Sequence, residues 1–364
     1  MNYKKFTLYT IMLTVVLNAS LVIFNITINP YKIFSTPELK INNIANHSIS
    51  DRVSKFYSAK RLNPNVLMMG TSRIGSVHPK YLNKYTNGKI YNLAFGGSHV
   101  LEHYYYLKYF IEHYDINTIV LGLDFQSFKK IKNDTYEKGH FDINRFNRYY
   151  FDDYINGVIG KRVLTDSWNT LIDSNKNKEK NDRNFKNGWV THYKNYRDFK
   201  KHGIKVVNKR IRNKLISYNK NSFKDSKMFS KKSLDKNIIY LNKIVELASQ
   251  NNISLKIFIS PTYAKHIDLI YTKGFGDSFE YWKTELVKIA DVFDFSGRNT
   301  ITNNPKYYMD ASHYNSNVGR LIFAKMFDDN SIRVPKDFGT LLNKKNIDSF
   351  LIDYRKKINY ELKL

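Results

Sequence analysis

Val66-Leu-Met-Met-Gly-Thr-Ser-Arg73 is the most informative segment of this 364-residue chain. Four apolar residues lead directly into Gly-Thr-Ser-Arg, a pattern that predicts a buried strand ending in a tight turn. The turn would present Ser72 at the carboxyl end of the strand, where ligands bind in open α/β sheets. Ser72 is therefore the first candidate for a functional residue.

Apolar strand patterns and helical patterns alternate along the chain on both sides of a long interruption. Thr118–Leu123 is almost continuously apolar, which is typical of a parallel strand covered on both faces. The alternation predicts a three-layer α/β domain with a flavodoxin-like, five-stranded parallel sheet in the order 2-1-3-4-5. The last thirty or so residues are predicted to form a helical tail. The five predicted strands are residues 66–70, 89–93, 118–123, 254–259 and 291–295.

The interruption, residues 129–236, is a basic and aromatic insertion. It contains 28 Lys and Arg against 12 Asp and Glu, a net charge of +16 in a chain whose formal net charge is +27. We expect a lid-like helical subdomain over the active edge of the sheet, because long structureless loops are rare in compact domains. The charge indicates a polyanionic partner, although a bias toward Asn, Lys, Ile and Tyr in the whole chain would explain it equally well.

The amino terminus predicts a membrane anchor over residues 1–30. No residue from Phe6 to Tyr31 is charged, and the segment is long enough to cross a hydrocarbon core of ~30 Å. Lys4 and Lys5 would stay in the cytoplasm, which places residues 31–364 outside. A cleaved signal peptide is the rival interpretation, but no small-x-small site follows the segment. A core helix of this length at the extreme terminus is less expected.

A second stretch, Asp310-Ala-Ser-His313, supplies what Ser72 needs to act as a nucleophile. A serine hydroxyl attacks well only when a positioned base takes its proton. His313 would be that base at the same sheet edge, and Asp310 would hold its imidazole in the correct tautomer. The simpler alternative is that Asp310 caps a helix and His313 is merely exposed. The chain has no cysteine, which excludes disulfides and a thiolate nucleophile.

Taken together, the motifs resemble the SGNH (GDSL-like) hydrolase superfamily, and in particular its membrane-anchored branch associated with bacterial cell-surface polysaccharide acylation. The resemblance covers roughly residues 60–330 without the insertion, and each motif is short. The motifs that carry it are Gly70-Thr-Ser72-Arg, Gly96-Gly97 after the second strand, Ser260-Pro261, Asp294-Phe-Ser-Gly297 and Tyr307-Tyr-Met-Asp310-Ala-Ser-His313-Tyr.

The resemblance implies a role for each matching residue. Ser72 would be the nucleophile, His313 the base and Asp310 its orienting acid. The backbone N–H of Ser72 and that of Gly96 or Gly97 would form the oxyanion hole, because glycine lets the backbone approach a ligand closely. An ordinary strand-to-helix turn is the alternative explanation for the two glycines.

One position departs from the superfamily's pattern. The asparagine expected after the third strand, a side-chain oxyanion donor, is replaced by Asp124. An ionised carboxylate accepts hydrogen bonds and would repel an oxyanion. Asp124 could pair with Arg73 from the neighbouring strand, which would hold that guanidinium over the site, or it could stay neutral in apolar surroundings. The ion pair is the preferred hypothesis.

Other polar candidates are weaker. His266 follows the fourth strand and is predicted to line the cleft as a substrate-binding residue. The remaining histidines near this edge are better explained as surface or packing residues, and none forms a convincing metal site with another. No cofactor or metal is expected. Trp168, Trp189 and Trp282 are best explained by core packing, although they could stack on sugars.

The sequence therefore predicts a membrane-anchored, extracytoplasmic serine esterase or O-acyltransferase. It would act on acyl groups, acetyl first, of an anionic cell-surface glycan, together with other polysaccharide-assembly proteins. The alternative is a non-catalytic scaffold or glycan-binding component, for which Asp124 is the best argument. Nucleic-acid binding rests on charge alone and is not expected for an extracytoplasmic domain.

Overall fold

The structure is a computed structural model that describes residues 3–43, 51–131, 141–147, 150–176, 183–184 and 186–362. Parts of the predicted insertion, 132–140, 148–149, 177–182 and 185, lie outside the described residues. The described residues form an α/β fold around one mixed sheet of six strands. The described residues contain eight strands, six in this sheet and two in a separate pair. They are β1 (Val66–Gly70), β2 (Ile90–Asn92), β3 (Thr118–Leu123), β4 (Arg183–Asn184), β5 (Trp189–Val190), β6 (Ser254–Ile259), β7 (Val292–Asp294) and β8 (Thr340–Leu342).

The order of the main sheet is β2-β1-β3-β6-β7-β8. Every neighbouring pair is parallel except β7 and β8, which are antiparallel. The predicted sheet of five parallel strands is thus not confirmed, because the carboxyl-terminal region adds a sixth, antiparallel strand. That region contains β8 as well as the helix Ile347–Lys356, so the predicted helical tail is only part of it. Three residues without apolar–polar alternation give little strand signal, and pairing with β7 decides the structure there.

Helices precede, separate and follow the strands. A short antiparallel pair, β4 and β5, lies in the insertion, where no strand was predicted. The helices are α1 (Tyr3–Ile28), α2 (Asp51–Leu62), α3 (Ser72–Gly75), α4 (Val100–His113), α5 (Asp152–Val158), α6 (Lys161–Lys176), α7 (Tyr193–His202), α8 (Ile204–Ser217), α9 (Lys231–Gln250), α10 (Ala264–Thr272), α11 (Gly276–Ile289), α12 (Ser316–Met326) and α13 (Ile347–Lys356).

Glycines let β1 and β3 approach closely at the edge where Ser72 lies. Gly70 has a φ of 140°, and a Cβ there would lie 2.4 Å from the carbonyl oxygen of Gly122. Any larger residue would therefore strain the backbone and clash with β3. Gly122 is the register partner of Gly70 and is itself packed against Phe258. These contacts fix where β1 ends and hence where Ser72 begins the next turn.

The first helix, α1, has the length and composition of a membrane-spanning segment. It is 26 residues long, and its most apolar window has a mean hydropathy of 2.2 with 11% of it buried. A signal sequence near an amino terminus would share these properties. The carboxyl-terminal end of α1 packs against α5 and α6 of the insertion.

Candidate active site

Ser72 is the first residue of α3, directly after the turn that ends β1. Thr71 caps this short helix, and its side chain accepts a hydrogen bond from the Arg73 N–H at 3.3 Å. Ser72 is partly exposed, whereas Arg73 is buried. The strand-to-helix turn therefore directs the serine outward and its neighbour inward, as an accessible nucleophile requires.

A tight loop presents His313 from the other side. Tyr308 and Tyr314 form an antiparallel bridge, and the Met309 N–H donates to the His313 carbonyl oxygen at 2.8 Å. Within the loop, Asp310 Oδ1 accepts from the backbone N–H of Ser312 at 2.7 Å and from that of His313 at 2.9 Å. Asp310 therefore closes the turn as well as facing the imidazole.

The side chains of Ser72, His313 and Asp310 form a continuous hydrogen-bonded chain. Ser72 Oγ lies 2.8 Å from His313 Nε2, and His313 Nδ1 lies 2.9 Å from Asp310 Oδ2. Because a carboxylate only accepts, the proton belongs on Nδ1, and Nε2 is left to accept from the serine hydroxyl. The arrangement has the connectivity of a Ser-His-Asp triad.

The surroundings keep Asp310 ionised. Burial by itself raises the pKa of Asp310, but the hydrogen bonds from the His313 side chain and from two backbone N–H groups outweigh it, so that the pKa is well below the usual range. Asp310 therefore remains charged at neutral pH.

The predicted ion pair between Arg73 and Asp124 is present. The Arg73 guanidinium donates to one Asp124 oxygen and the Thr71 hydroxyl donates to the other. Both charged side chains are almost completely buried, at 5% and 1% exposure. Burial lowers the pKa of Arg73, but the Asp124 carboxylate outweighs this effect and raises it, so the guanidinium is charged. The Asp124 carboxylate is therefore paired with Arg73 and buried, and it does not supply the side-chain N–H donor that an asparagine would present to the site.

Arg73 also ties the β1 turn to the histidine loop. Its Nε donates to Ser312 Oγ at 3.2 Å, and the Tyr218 hydroxyl donates to the same oxygen at 2.9 Å. Ser312 is the residue before His313, so the network holds the His313 loop against the turn that carries Ser72. Sequence reasoning missed Ser312 and Tyr218. Ser312 stands inside the Asp310–His313 motif, whereas nothing in the insertion pointed to Tyr218.

Gly96 and Gly97 lie exposed at the same sheet edge. The preceding residue, Phe95, bridges Thr71 in a parallel sense, which places this loop beside the Ser72 turn. A Cβ on Gly96 would meet no described atom within 4 Å, so packing does not explain the glycine. Gly97 has a φ of 64°, which favours glycine. The loop is accessible to a ligand.

Helix α2 fixes the glycine loop from behind with two buried cations. Lys55 Nζ donates to the carbonyl oxygen of Ala94 at 2.6 Å, and Arg52 Nη2 donates to that of Gly96 at 3.3 Å. Arg52 also forms a buried ion pair with Glu102. This role of α2 was not predicted from the sequence. The three-residue spacing of Arg52 and Lys55 on one helix face was the available signal.

His266 does not line an open cleft. It is 2% exposed and stacks on Tyr218 with ring centroids 4.5 Å apart. Both ring nitrogens lack a hydrogen-bond partner among the described residues. Burial first, and the charges of Arg73 and Lys214 second, lower the pKa of His266 well below its ordinary value. His266 is therefore a neutral packing residue behind the site.

The insertion reaches the site at several points besides Tyr218. Trp189 Nε1 donates to the carbonyl oxygen of Ser76 at 3.0 Å, and the His192 ring lies 5.8 Å from that of His313. The described residues contain no group of three His, Asp or Glu side chains arranged to hold a metal ion. Ser72, His313 and Asp310 place a hydroxyl, an imidazole and a carboxylate in series, an arrangement that suits proton transfer along the hydrogen bonds.

Comparisons with known proteins do not assign the chain to a family. The chain matches no family model, and no curated protein is significantly similar to it in sequence.

Proposed function

We propose that this protein is a serine esterase or O-acyltransferase that acts on acyl groups, acetyl first, of a cell-envelope polysaccharide, as a member of the SGNH-like hydrolases. One observation carries the proposal. Ser72 Oγ, His313 Nε2 and the Asp310 carboxylate are hydrogen-bonded in series, at 2.8 Å and 2.9 Å, at an accessible sheet edge.

The reaction begins when Ser72 Oγ attacks the carbonyl carbon of the ester and passes its proton to His313 Nε2. Asp310 stabilises the imidazolium that forms. When the tetrahedral intermediate collapses, the ester C–O bond breaks and His313 gives the proton to the leaving alkoxide. Water or a sugar hydroxyl then attacks the carbonyl carbon of the acyl-enzyme and loses a proton to His313. When this second tetrahedral intermediate collapses, the bond between the carbonyl carbon and Ser72 Oγ breaks and His313 returns the proton to Ser72 Oγ.

The oxyanion would be stabilised by the backbone N–H of Ser72 and that of Gly96 or Gly97. The exposure of the glycine loop and its position beside Thr71 support this assignment. Each such donor is worth roughly 3–4 kcal/mol to the transition state. Arg73 adds a fixed positive charge behind Ser72, partly neutralised by Asp124.

The charge of the insertion supports the proposed substrate, and α1 supports the proposed location. An insertion with a net charge of +16 attracts an anionic glycan over long range. With Lys4 and Lys5 inside, α1 anchors the protein by a single pass and the catalytic domain faces outward. At the outer surface of the membrane, the site would be close to other polysaccharide-assembly proteins.

Covalent labelling of the full-length chain in detergent tests the proposal without the natural substrate. A fluorophosphonate should label Ser72, and the chain should hydrolyse an activated acetyl ester. Ser72→Ala should abolish both, and Ser249→Ala, at an exposed position on α9, should change neither. Equal labelling and hydrolysis in wild type and Ser72→Ala would overturn the enzyme proposal. A wild type that is inert but binds the glycan would favour the scaffold alternative.

A further inference from the structure

Helices α5 and α6 carry an apolar surface that no described residue covers. Phe151 directly precedes α5, Ile155 lies on this helix and Ile159 directly follows it. They are 58%, 52% and 64% exposed, and Trp168 on α6 is 58% exposed. Contiguous apolar patches of this kind on a folded domain mark interaction surfaces.

This pair of helices, here called the collar, packs around the carboxyl-terminal end of α1. Asn25 Nδ2 donates to the Val158 carbonyl oxygen at 2.9 Å, and the Trp168 ring lies 6.5 Å from that of Phe24. Just beyond α1, the Tyr31 hydroxyl donates to Asp166 at 2.6 Å. The collar is therefore held at one level along α1, near Phe24 and Asn25.

That level coincides with the end of the segment that can lie in hydrocarbon. The uncharged part of α1 begins at Phe6, and large side chains along it stay exposed up to Ile23, whereas Asn25 and Ile28 are buried by the domain. From Phe6 to Asn25 the helix rises about 30 Å at 1.5 Å per residue, the thickness of a bilayer core. The collar thus lies at the height of the membrane surface.

We propose that the collar is a membrane-interface contact, with Phe151, Ile155, Ile159 and Trp168 inserted among the lipid headgroups of the outer leaflet. Trp is one of the two residue types enriched at membrane interfaces, and the exposed Lys161 at the start of α6 suits anionic headgroups. The contact gives the domain a second attachment besides α1 and so restricts its tilt over the bilayer.

The bilayer is the occupant that the geometry favours. The exposed Trp168 lies against Phe24, next to the exposed Ile23 of α1, so this part of the collar adjoins the exposed surface of α1. The inference rests on the proposed membrane anchorage of α1, but not on the proposed catalytic activity. A protein partner would have to bind the same surface next to the membrane. Quenching of tryptophan fluorescence by lipid distinguishes the bilayer from a protein partner.

Lipid-quenched fluorescence of the full-length chain in nanodiscs tests the contact. The discs contain phosphatidylcholine and phosphatidylglycerol with acyl chains brominated close to the headgroup. Trp282 is fully buried and Trp189 lies near the site, so Trp168 should account for most of the quenching. Trp168→Phe should remove most of the quenched fraction. The same quenching ratio in wild type and Trp168→Phe would overturn the proposal and leave a protein partner as the alternative.

A pair of double variants separates collar insertion from general surface hydrophobicity. Ile155→Ser with Ile159→Ser should lower the lipid quenching of Trp168 by half or more and open it to aqueous iodide. Ile239→Ser with Ile352→Ser removes equally exposed side chains (55% and 53%) from other helices and should match wild type. Unchanged quenching in the first variant, with an unchanged Tm, contradicts the proposal. A wild-type chain that does not enter nanodiscs contradicts the anchorage instead.

Discussion

Two buried charge clusters in this protein have nearly the same composition and different consequences. In the site cluster, Arg73 pairs with Asp124 after β3 and reaches Ser312, which also accepts from Tyr218. In the second cluster, Lys283 of α11 pairs with Asp294 at the end of β7 and donates to Ser296 at 3.0 Å; Ser296 in turn lies 3.0 Å from the Tyr354 hydroxyl. We call this second set the carboxyl-terminal cluster.

The difference lies in what each serine is attached to. Ser312 precedes His313, so the site cluster connects the turn that carries Ser72 to the loop that carries His313. Ser296 connects β7 to Tyr354 of α13, and therefore joins the last helix to the sheet. Similar side chains at two strand ends therefore hold the His313 loop against the Ser72 turn in the site cluster, and α13 against the sheet in the carboxyl-terminal cluster. Matched substitutions in the two clusters should separate activity from stability.

The largest difference in kcat is expected between Asp310→Asn, which changes the carboxylate beside His313, and Asp294→Asn, which changes the carboxylate beside Lys283. Asp310→Asn keeps an oxygen for the two backbone N–H groups of the turn but offers an amide N–H to the imidazole. The wrong tautomer is then favoured, and we expect kcat for ester hydrolysis to fall by ~10³–10⁴-fold. Asp294→Asn should lower the free energy of unfolding and leave kcat within a few-fold. Similar kcat values in both variants would refute the proposed role of Asp310.

Removal of the cations gives the next largest effect. Arg73→Met and Lys283→Met each leave a buried carboxylate unpaired, which should cost about 3–5 kcal/mol of unfolding free energy in urea titrations. Only Arg73→Met should also impair hydrolysis by the folded fraction, by ~10²-fold, because a displaced base loses its geometry.

Charge-free versions of both clusters guard against misfolding. Arg73→Met with Asp124→Leu, and Lys283→Met with Asp294→Leu, remove each pair as a whole and should be closer to wild type in stability. Loss of activity in the first double variant alone would support a positioning role for Arg73. Equal activity in the two would refute it.

The serines should show the same contrast on a smaller scale. Ser312→Ala removes the acceptor of the Arg73 Nε and Tyr218 hydrogen bonds, and Ser296→Ala removes a partner of Lys283 and Tyr354. Each change leaves buried donors unsatisfied, at a cost of about 1–3 kcal/mol measured by thermal unfolding. We expect kcat to drop about tenfold in Ser312→Ala only. A larger drop in Ser296→Ala would reverse the assignment of the two clusters.

The smallest effect is expected from the tyrosine hydroxyls. Tyr218→Phe and Tyr354→Phe keep the rings and delete one hydrogen bond each, which is worth about 0.5–1.5 kcal/mol. A few-fold decrease in kcat for Tyr218→Phe, with none for Tyr354→Phe, would show that the insertion tunes the site. Comparison of steady-state kinetics with Tm for both variants checks this, and unchanged kinetics in Tyr218→Phe would contradict it.

Much of the scaffold could be predicted because its signals are local. Val66–Gly70, Thr118–Leu123 and Ser254–Ile259 have the predicted bounds, since their apolar runs stop at glycine, aspartate or proline. β8 was missed because three residues with an exposed, exposed, buried pattern depend on β7 for their structure. His266 was misplaced because Tyr218, which covers it, lies in an insertion without a periodic pattern.

By itself the sequence determined the alternation of strands and helices, the apolar first helix and the short motifs that end in Ser72 and His313. These depend on residue type and spacing within a few positions. The packing of the sheet selected the Arg73–Asp124 ion pair from the two alternatives that the sequence left open, and the contacts of Ser312 and Tyr218 at the histidine loop and of the collar with α1 had no sequence signal. Each of those contacts joins residues more than fifty positions apart. Their pairing depends on how the sheet and the insertion pack, because no local pattern specifies which distant charge or hydroxyl will be buried beside another.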